Sequence, residues 1–318
     1  MGFTQKSTNQ YFATDGVFGF NDGTYDYLTG GWAGGSTTYN YFYRSSDDGA
    51  TFSAQTAFTF NAHTFQSCVA NNVAYIVGGD TYNKTVGGDW KRSSHKFESG
   101  AWSQIAANPG IADRCLGALV YHNDDFYLIG GQYNLTVASA YHTVLRSTDG
   151  LTTFTEVLSD TRTQGFFGGL LWGSVVSYKG LLWKIGGGVY TDTPYWCRKY
   201  DTNIFSSPDG VTWTWRGRFK GAGRNYPQCL VFNDKIYVFN GFNPLTHANV
   251  QSPGNMSDYW TLELLSSGKI VQTYKGTTDW GTRHALACWL GNGGIMMFGG
   301  SGGVGGTPTR ECWLYTDN

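Results

Sequence analysis

The sequence predicts an all-β fold: a six-bladed β-propeller of four-stranded antiparallel blades. Three observations predict it. A hairpin whose second strand ends in Gly-Gly recurs six times, as YDYLTGG ending at Gly31, VAYIVGG at Gly79, DFYLIGG at Gly131, LLWKIGG at Gly187, KIYVFNG at Gly241 and GIMMFGG at Gly300. The fifth copy has Asn240 in place of the first glycine. The copies lie roughly 48 to 59 residues apart, a period at which each unit buries its faces only against a neighbour. Finally, the chain ends complement each other. The last repeat stops at WLYTDN, after its third strand, and MGFTQKS at the start resembles the fourth-strand segments TTFTEVLS (152–159) and ATFSAQT (50–56). The N-terminal segment is therefore expected to supply the outer strand of the sixth blade and close the ring, removing the sheet edge that invites aggregation. Residues 1–318 read as one domain, because the repeat overrides the two-domain prior of the length.

Within a repeat, the first two strands carry β-branched and aromatic residues around a turn, as in ALVYHNDDFYLIGG (118–131), VVSYKGLLWKIGG (175–187) and CLVFNDKIYVFNG (229–241). Asn-Asp-Asp, Tyr-Lys-Gly and Asn-Asp-Lys are hairpin turns. A polar, variable loop follows the glycines. A third strand then enters a tight Asp/Gly turn, and a fourth strand holds Trp or Phe. No helix is predicted: the helix-like YWTLELLSSGK (259–269) occupies the third-strand slot of repeat five.

The third-to-fourth turn has its own signature. SSDDGATF (45–52) fits the aspartate-box pattern S-x-D-x-G-x-T-aromatic, and STDGLTTF (147–154) and SPDGVTW (207–213) are one-step variants. Asp accepts backbone N–H groups, Gly supplies positive φ and the aromatic packs between sheets. In families that carry it, this box is a feature of the fold. With these turns, six Gly-Gly-ended strands and a late aromatic in each repeat, the whole chain resembles kelch-type β-propellers.

Composition narrows the function. Gly numbers 45, aromatics make 17% and charged residues only 14%, against roughly 25% charged in typical domains. A net charge of −1 gives no footprint for nucleic acid. No apolar run approaches the ~20 residues of a membrane span, and the first residues lack the apolar stretch of a signal peptide. The six cysteines show no CxxC or zinc spacing. Cys68, Cys115, Cys229 and Cys288 are expected on the innermost strands and Cys197 and Cys312 near third strands, all as small core residues.

Antiparallel connectivity sorts the loops. The fourth-to-first connections and the loops after Gly-Gly share one face, and the aspartate boxes lie on the other. On the first face, the segments that lead into strand one place His63, Arg114, Arg162, Arg224 and Arg283–His284 around the mouth of the central channel. The resemblance implies a ligand role, since in kelch-type proteins that bind acidic peptides arginines near this level touch the ligand; a guanidinium fork suits a carboxylate or sugar hydroxyls. The alternative is that these side chains tie neighbouring blades together, and Asp15, Asp113, Asp160 and Asp279 stand nearby to neutralise them. The loops after Gly-Gly carry Trp32, Tyr82, Tyr133, Tyr190, Tyr195, Trp196 and Phe242. Aromatic rings flanked by Asn, Thr and Asp suit a neutral glycan, whose C–H faces stack on rings. The sequons at Asn83, Asn134 and Asn255 fall in the same loops.

Enzyme readings are weaker. The four glutamates, Glu98, Glu156, Glu263 and Glu311, map to third or fourth strands away from the channel, whereas a glycosidase needs two carboxylates on one cleft. The arginine-containing FRIP motif that accompanies aspartate boxes in sialidases is missing, and the six histidines show no metal-ligand spacing. The sequence therefore points to a non-catalytic recognition module with no metal or cofactor, binding carbohydrate or another cell-surface receptor through the loop face. The Gly/Thr/Tyr/Asn-rich, low-charge composition resembles that of phage virion proteins such as a tail-fibre tip or capsid-surface adhesin, with other virion proteins as partners. That implies a virion or extracellular location, with a cytoplasmic stage before release. A protein-interaction propeller and a sialidase-like glycoside hydrolase are the alternatives.

Overall fold

A computed structural model describes the chain apart from residues 1, 9–11, 13, 35–36, 39, 57–62, 81–91, 134–139, 167, 170, 191–196, 244–253, 303–306 and 318. Six four-stranded antiparallel sheets follow one another along the sequence. Their innermost strands are Phe18–Asn21, Gln66–Ala70, Ala118–His122, Val175–Tyr178, Gln228–Phe232 and Ala287–Gly291, and all six line one central cavity of about 490 Å³. The fold is a six-bladed propeller.

Ring closure is as the chain ends predict. Gly2–Ser7 pairs antiparallel with Cys312–Thr316 as the outer strand of blade 6, with Phe3 opposite Tyr315. Phe3 then packs edge-on against Trp280 and Tyr259, with ring centroids 4.8 and 5.2 Å away, so closure also stitches blade 6 to blade 5. The segment 259–269 is strand Asp258–Leu264 running into a turn, and among the described residues the helical content is one 3-10 turn, Thr161–Gln164.

The double glycine has two separate causes. At the first position φ lies between 65° and 71° in Gly30, Gly78, Gly130, Gly186 and Gly299, and Asn240 adopts 51°; this is the left-handed well that asparagine tolerates. At the second position φ runs from 89° to 123°, which only glycine enters readily. The fifth repeat therefore exchanges its first glycine and keeps its second. Turns between the first two strands use the same chemistry: Asn71–Asn72, Asn123–Asp124 and Asn233–Asp234 all have positive φ, as a two-residue primed turn requires.

The aspartate boxes are local turns. Asp47 Oδ1 accepts the Thr51 N–H at 2.9 Å, its Oδ2 accepts the Thr51 hydroxyl at 2.6 Å, and Ser45 donates to it at 2.8 Å. Ser147–Asp149–Thr153 and Ser207–Asp209–Thr212 repeat the pattern. Phe52, Phe154 and Trp213 are buried behind them. Hydrogen bonds from the Thr153 side chain and backbone hold the Asp149 carboxyl below its ordinary pKa.

Cys68, Cys229 and Cys288 sit on innermost strands and Cys312 on a third strand, all as free thiols. One expectation needs correction. Cys115 precedes its strand and bridges Gln132 instead. Cys197 belongs to a separate ribbon, Cys197–Tyr200 with Gly188–Tyr190, ahead of the third strand Asn203–Ser207.

Candidate functional site

Isolated bridges pair Asp15 with Trp32, His63 with Asp80, Cys115 with Gln132 and Asn225 with Phe242. Each joins the segment before strand one to the segment after Gly-Gly, so both loop sets share one face, as the connectivity requires.

At the centre of that face the backbone forms a girdle. Gly16 N–H donates to Ala285 at 2.8 Å, Thr64 to Gly16 at 3.1 Å, Leu116 to Thr64 at 3.0 Å and Trp172 to Leu116 at 3.0 Å, linking blades 6, 1, 2, 3 and 4 in turn. Gly16, Thr64, Leu116, Tyr226 and Ala285 take φ between 50° and 61° to do so, a conformation that costs a β-branched residue such as Thr64 most. Leu116, Trp172, Tyr226, Ala285 and Cys115 form a buried cluster at this level. The central cavity runs from Trp172, Gly173 and Gln228 beneath it to Asn72, Val69 and Leu290, which are exposed, at the aspartate-box face.

The arginines that the sequence placed around an open mouth are thus part of a cap. Arg114, Arg224 and Arg283 are buried, and each donates Nη1 to the carbonyl sixteen residues downstream: Gly130 at 3.2 Å, Asn240 at 2.9 Å and Gly299 at 3.0 Å. Each also folds back on a carbonyl two or three residues upstream, Ala112, Ala222 or Trp280. Arg224 adds a bidentate pair with Asp258 at 2.8 and 2.7 Å, and Arg283 pairs with Glu311 at 2.8 Å. Glu311, expected away from this region, is a partner on this face. Burial lowers the Arg114 guanidinium to a pKa of about 10. Arg162 is exposed but is held by Asp160 at 2.8 and 2.7 Å across the 3-10 turn.

His63 is buried, 3.4 Å from the Asp80 carbonyl, and burial depresses its pKa to about 4. His284 behaves alike, at about 4, with Nδ1 against Asn255 Oδ1 at 2.5 Å and Phe242 packed on its ring at 5.0 Å. Asn255 is fully buried and also donates to Ser301, so its sequon is closed to modification in the folded chain. Among the loop aromatics, Tyr133 is 45% exposed, and Trp32 and Phe242 are half-buried. Tyr190 lies on the ribbon Gly188–Tyr190. Tyr82, Tyr195 and Trp196, with Asn83 and Asn134, lie outside the described residues.

The structure brings together a group that the sequence did not single out. Arg114 stacks its guanidinium 4.2 Å over the ring of Tyr141. Tyr141 is within electrostatic reach of Tyr133, Asp113 and Arg92, and Arg92 binds Asp113 at 2.5 Å with both side chains partly exposed. The exposed Tyr133 ring and the carboxylate–guanidinium pair thus both neighbour the stacked Tyr141. Tyr141 follows the same Gly-Gly as Tyr133, and that proximity was the one sequence signal available. Among the described residues no group of His, Cys, Asp and Glu is arranged to hold a metal.

No protein-family model matches the chain, and no curated protein matches it. Among solved structures it is similar to YjhT, with a TM-score of 0.70 and 14% sequence identity over 96% of each chain. At that identity the likeness is one of fold.

Proposed function

We propose that this propeller is a non-catalytic recognition module that binds carbohydrate on its loop face, in the patch formed by Tyr133, Tyr141, Asp113 and Arg92. The observation that carries the reading is that the exposed Tyr133 and the Arg92–Asp113 pair both neighbour Tyr141: a ring open for stacking, with a carboxylate and guanidinium on the same patch for hydroxyls, is the minimal requirement of a sugar site. Trp32, Phe242 and Arg162 extend the same face, with Tyr82, Tyr190 and Trp196 as further contacts. The buried His63, Arg114, Arg224 and Arg283 hold this face in shape, and Arg114 fixes Tyr141. In kelch-type fashion the loops vary on a constant frame. The reading includes a place on a phage virion, as a tail-fibre or capsid-surface adhesin, where many copies turn modest single-site affinity into firm attachment.

A glycan-array screen of the wild type, Tyr133→Ala and Asp113→Asn tests it. Specific binding lost in both variants, with melting temperatures unchanged, is expected. Binding that persists in both puts the site elsewhere. No binding at high protein concentration overturns the reading in favour of a protein-interaction propeller.

A further inference from the structure

The central cavity is a blind pocket. The girdle above it is completed by Cys229 N–H, which donates to the Gly173 carbonyl at 2.9 Å, and by Gly241 N–H, which donates to the Arg283 carbonyl at 3.3 Å, so blades 4, 5 and 6 are joined as well. The loop-face end is therefore shut, and the cavity of about 490 Å³ opens toward the aspartate boxes. Its mouth is a single ring. Asn21, Val69, Tyr121, Ser177, Val231 and Leu290 each stand ten residues before the second glycine of their repeat, and all six line the cavity. Four of the six are apolar or aromatic, and Val69 and Leu290 are 40% and 47% exposed. A collar of this kind around an opening marks a binding site better than scattered single residues do.

The closed end holds a donor that the protein leaves unmet. Gln228 stands three residues before Val231, roughly 10 Å deeper along its strand. Its side chain is buried and reaches across to blade 4, where a Cβ on Gly173 would stand 2.9 Å from Nε2. Both residues line the cavity, and Gln228 Nε2 has no hydrogen-bond partner in the protein. A buried donor without a partner is costly, so an acceptor brought to it gains that bond. Among the described residues, no Asp, Glu, Lys, Arg or His lines the cavity. A charge carried in would lose its water and find no countercharge. A polypeptide would have to enter by a terminus, bringing such a charge to the closed end, or double back in a space the size of a small-molecule pocket.

We propose that this pocket binds a small uncharged molecule entering from the aspartate-box face, its apolar body against Leu119, Val175 and Leu230 and a carbonyl-type acceptor at its inner tip on Gln228 Nε2. Each innermost strand is the edge of its sheet, so strand-edge amides also face the cavity and keep water beside the ligand. The apolar body removes the collar and walls from water, and the acceptor replaces water at the one amide that sits deepest. The site is separate from the loop-face patch, since the girdle lies between them.

The test is a fluorescence titration with prodan, an uncharged naphthalene bearing a ketone at one end. Two comparators share its size: N-phenyl-1-naphthylamine, neutral and without an acceptor oxygen, and 1-anilinonaphthalene-8-sulfonate, the same ring system with a negative charge. Saturable one-to-one binding of prodan with blue-shifted emission is expected. Gln228→Leu should weaken prodan about tenfold, the worth of one hydrogen bond, and leave N-phenyl-1-naphthylamine unchanged, which also shows that the variant is folded. Val69→Glu/Leu290→Glu should weaken both neutral probes about tenfold by charging the collar, at an unchanged melting temperature because both positions are exposed. The sulfonate should bind about tenfold more weakly than its neutral parent in the wild type. Tyr133→Ala should bind prodan as the wild type does, which keeps this outcome separate from that of the loop-face site. Absence of saturable prodan binding overturns the proposal, as does prodan binding undiminished in either pocket variant, or sulfonate binding as tight as that of its neutral parent.

Discussion

Trp289 of blade 6 donates its indole Nε1 to Asp26 Oδ1 of blade 1 at 2.7 Å, and its ring lies over Gly19, where a Cβ would stand 2.2 Å from Cε3. The residues are far apart in sequence, yet together they form the inner seam of ring closure, just as Gly2–Ser7 and Cys312–Thr316 form the outer one. Burial raises the Asp26 carboxyl above its ordinary pKa, while the bonds from Asn21 and Trp289 act in the opposite direction.

The seam leaves no room for a methyl group. Gly19→Ala forces a buried indole to move, and overpacking of this kind costs about 1–3 kcal/mol. Chemical denaturation of Gly19→Ala should show that loss, whereas Gly100→Ala, also a glycine but with nothing within 4 Å of its Cβ position, meets no clash and pays only for its positive φ of 82°. If Gly19→Ala is as stable as the wild type, Trp289 is not packed as described.

The two kinds of loop-face arginine should respond differently to truncation. Arg224→Ala removes a buried guanidinium from Asp258 and from the Asn240 and Ala222 carbonyls. Breaking a buried pair from one side costs about 3–5 kcal/mol. Arg162→Ala removes a solvent-screened surface pair and should leave stability nearly unchanged. Denaturant midpoints of the two variants check the contrast, and similar midpoints would mean that the Arg224 network carries no stability.

Much of the fold was legible in the sequence because it is written in backbone conformation. A residue held at a φ near 100° must be glycine, so six such positions print six glycines, and the substitution at Asn240 fell at the one position of the pair that permits it. Ring closure was legible because a three-stranded last repeat needs a strand from elsewhere. The site was less so. That Arg114 reaches a carbonyl sixteen residues on depends on how the long side chain folds back along the segment before strand one, because the hairpin register sets Ala118 against Ile129 and so Gly117, not Arg114, against Gly130. Composition alone cannot tell an arginine that binds a ligand from one that binds its own blade. Tyr141 and Arg92 lie in irregular segments with no periodicity to reveal their orientation, and Asn255 is buried by a polar network that no motif announces.

Acid should weaken the loop face. Burial holds His63 and His284 neutral, with pKa values near 4 against an ordinary 6.5. The unfolded chain takes up these protons first as pH falls, so each histidine contributes stability that is lost between about pH 6.5 and 4. Urea unfolding of His284→Gln, which keeps an amide to meet Asn255, should give a shallower loss over that range than the wild type. Equal slopes would show that His284 takes up its proton at the same pH folded and unfolded, so that burial does not depress its pKa.

Asp15 acts in the opposite direction. It is buried where blade 1 meets blade 6 and accepts a hydrogen bond from the Ser301 hydroxyl. Burial raises its pKa from 3.8 to about 7, with the Ser301 bond offsetting part of the rise. A folded pKa above the unfolded one means that its contribution is full below about pH 4 and is lost as pH rises through about 7. Asp15→Asn keeps a polar partner for Ser301 and stays neutral, so it removes this dependence. The variant's stability relative to the wild type should therefore rise from pH 4 to a plateau above pH 7, by a few kcal/mol at about 1.4 kcal/mol for each pKa unit. Taking the difference cancels the histidines, which are common to both proteins. Urea unfolding at pH 4.5, 6 and 8 decides the matter: a difference that does not change with pH would mean that Asp15 is ionised in the fold and that the seam between blades 1 and 6 holds a buried charge.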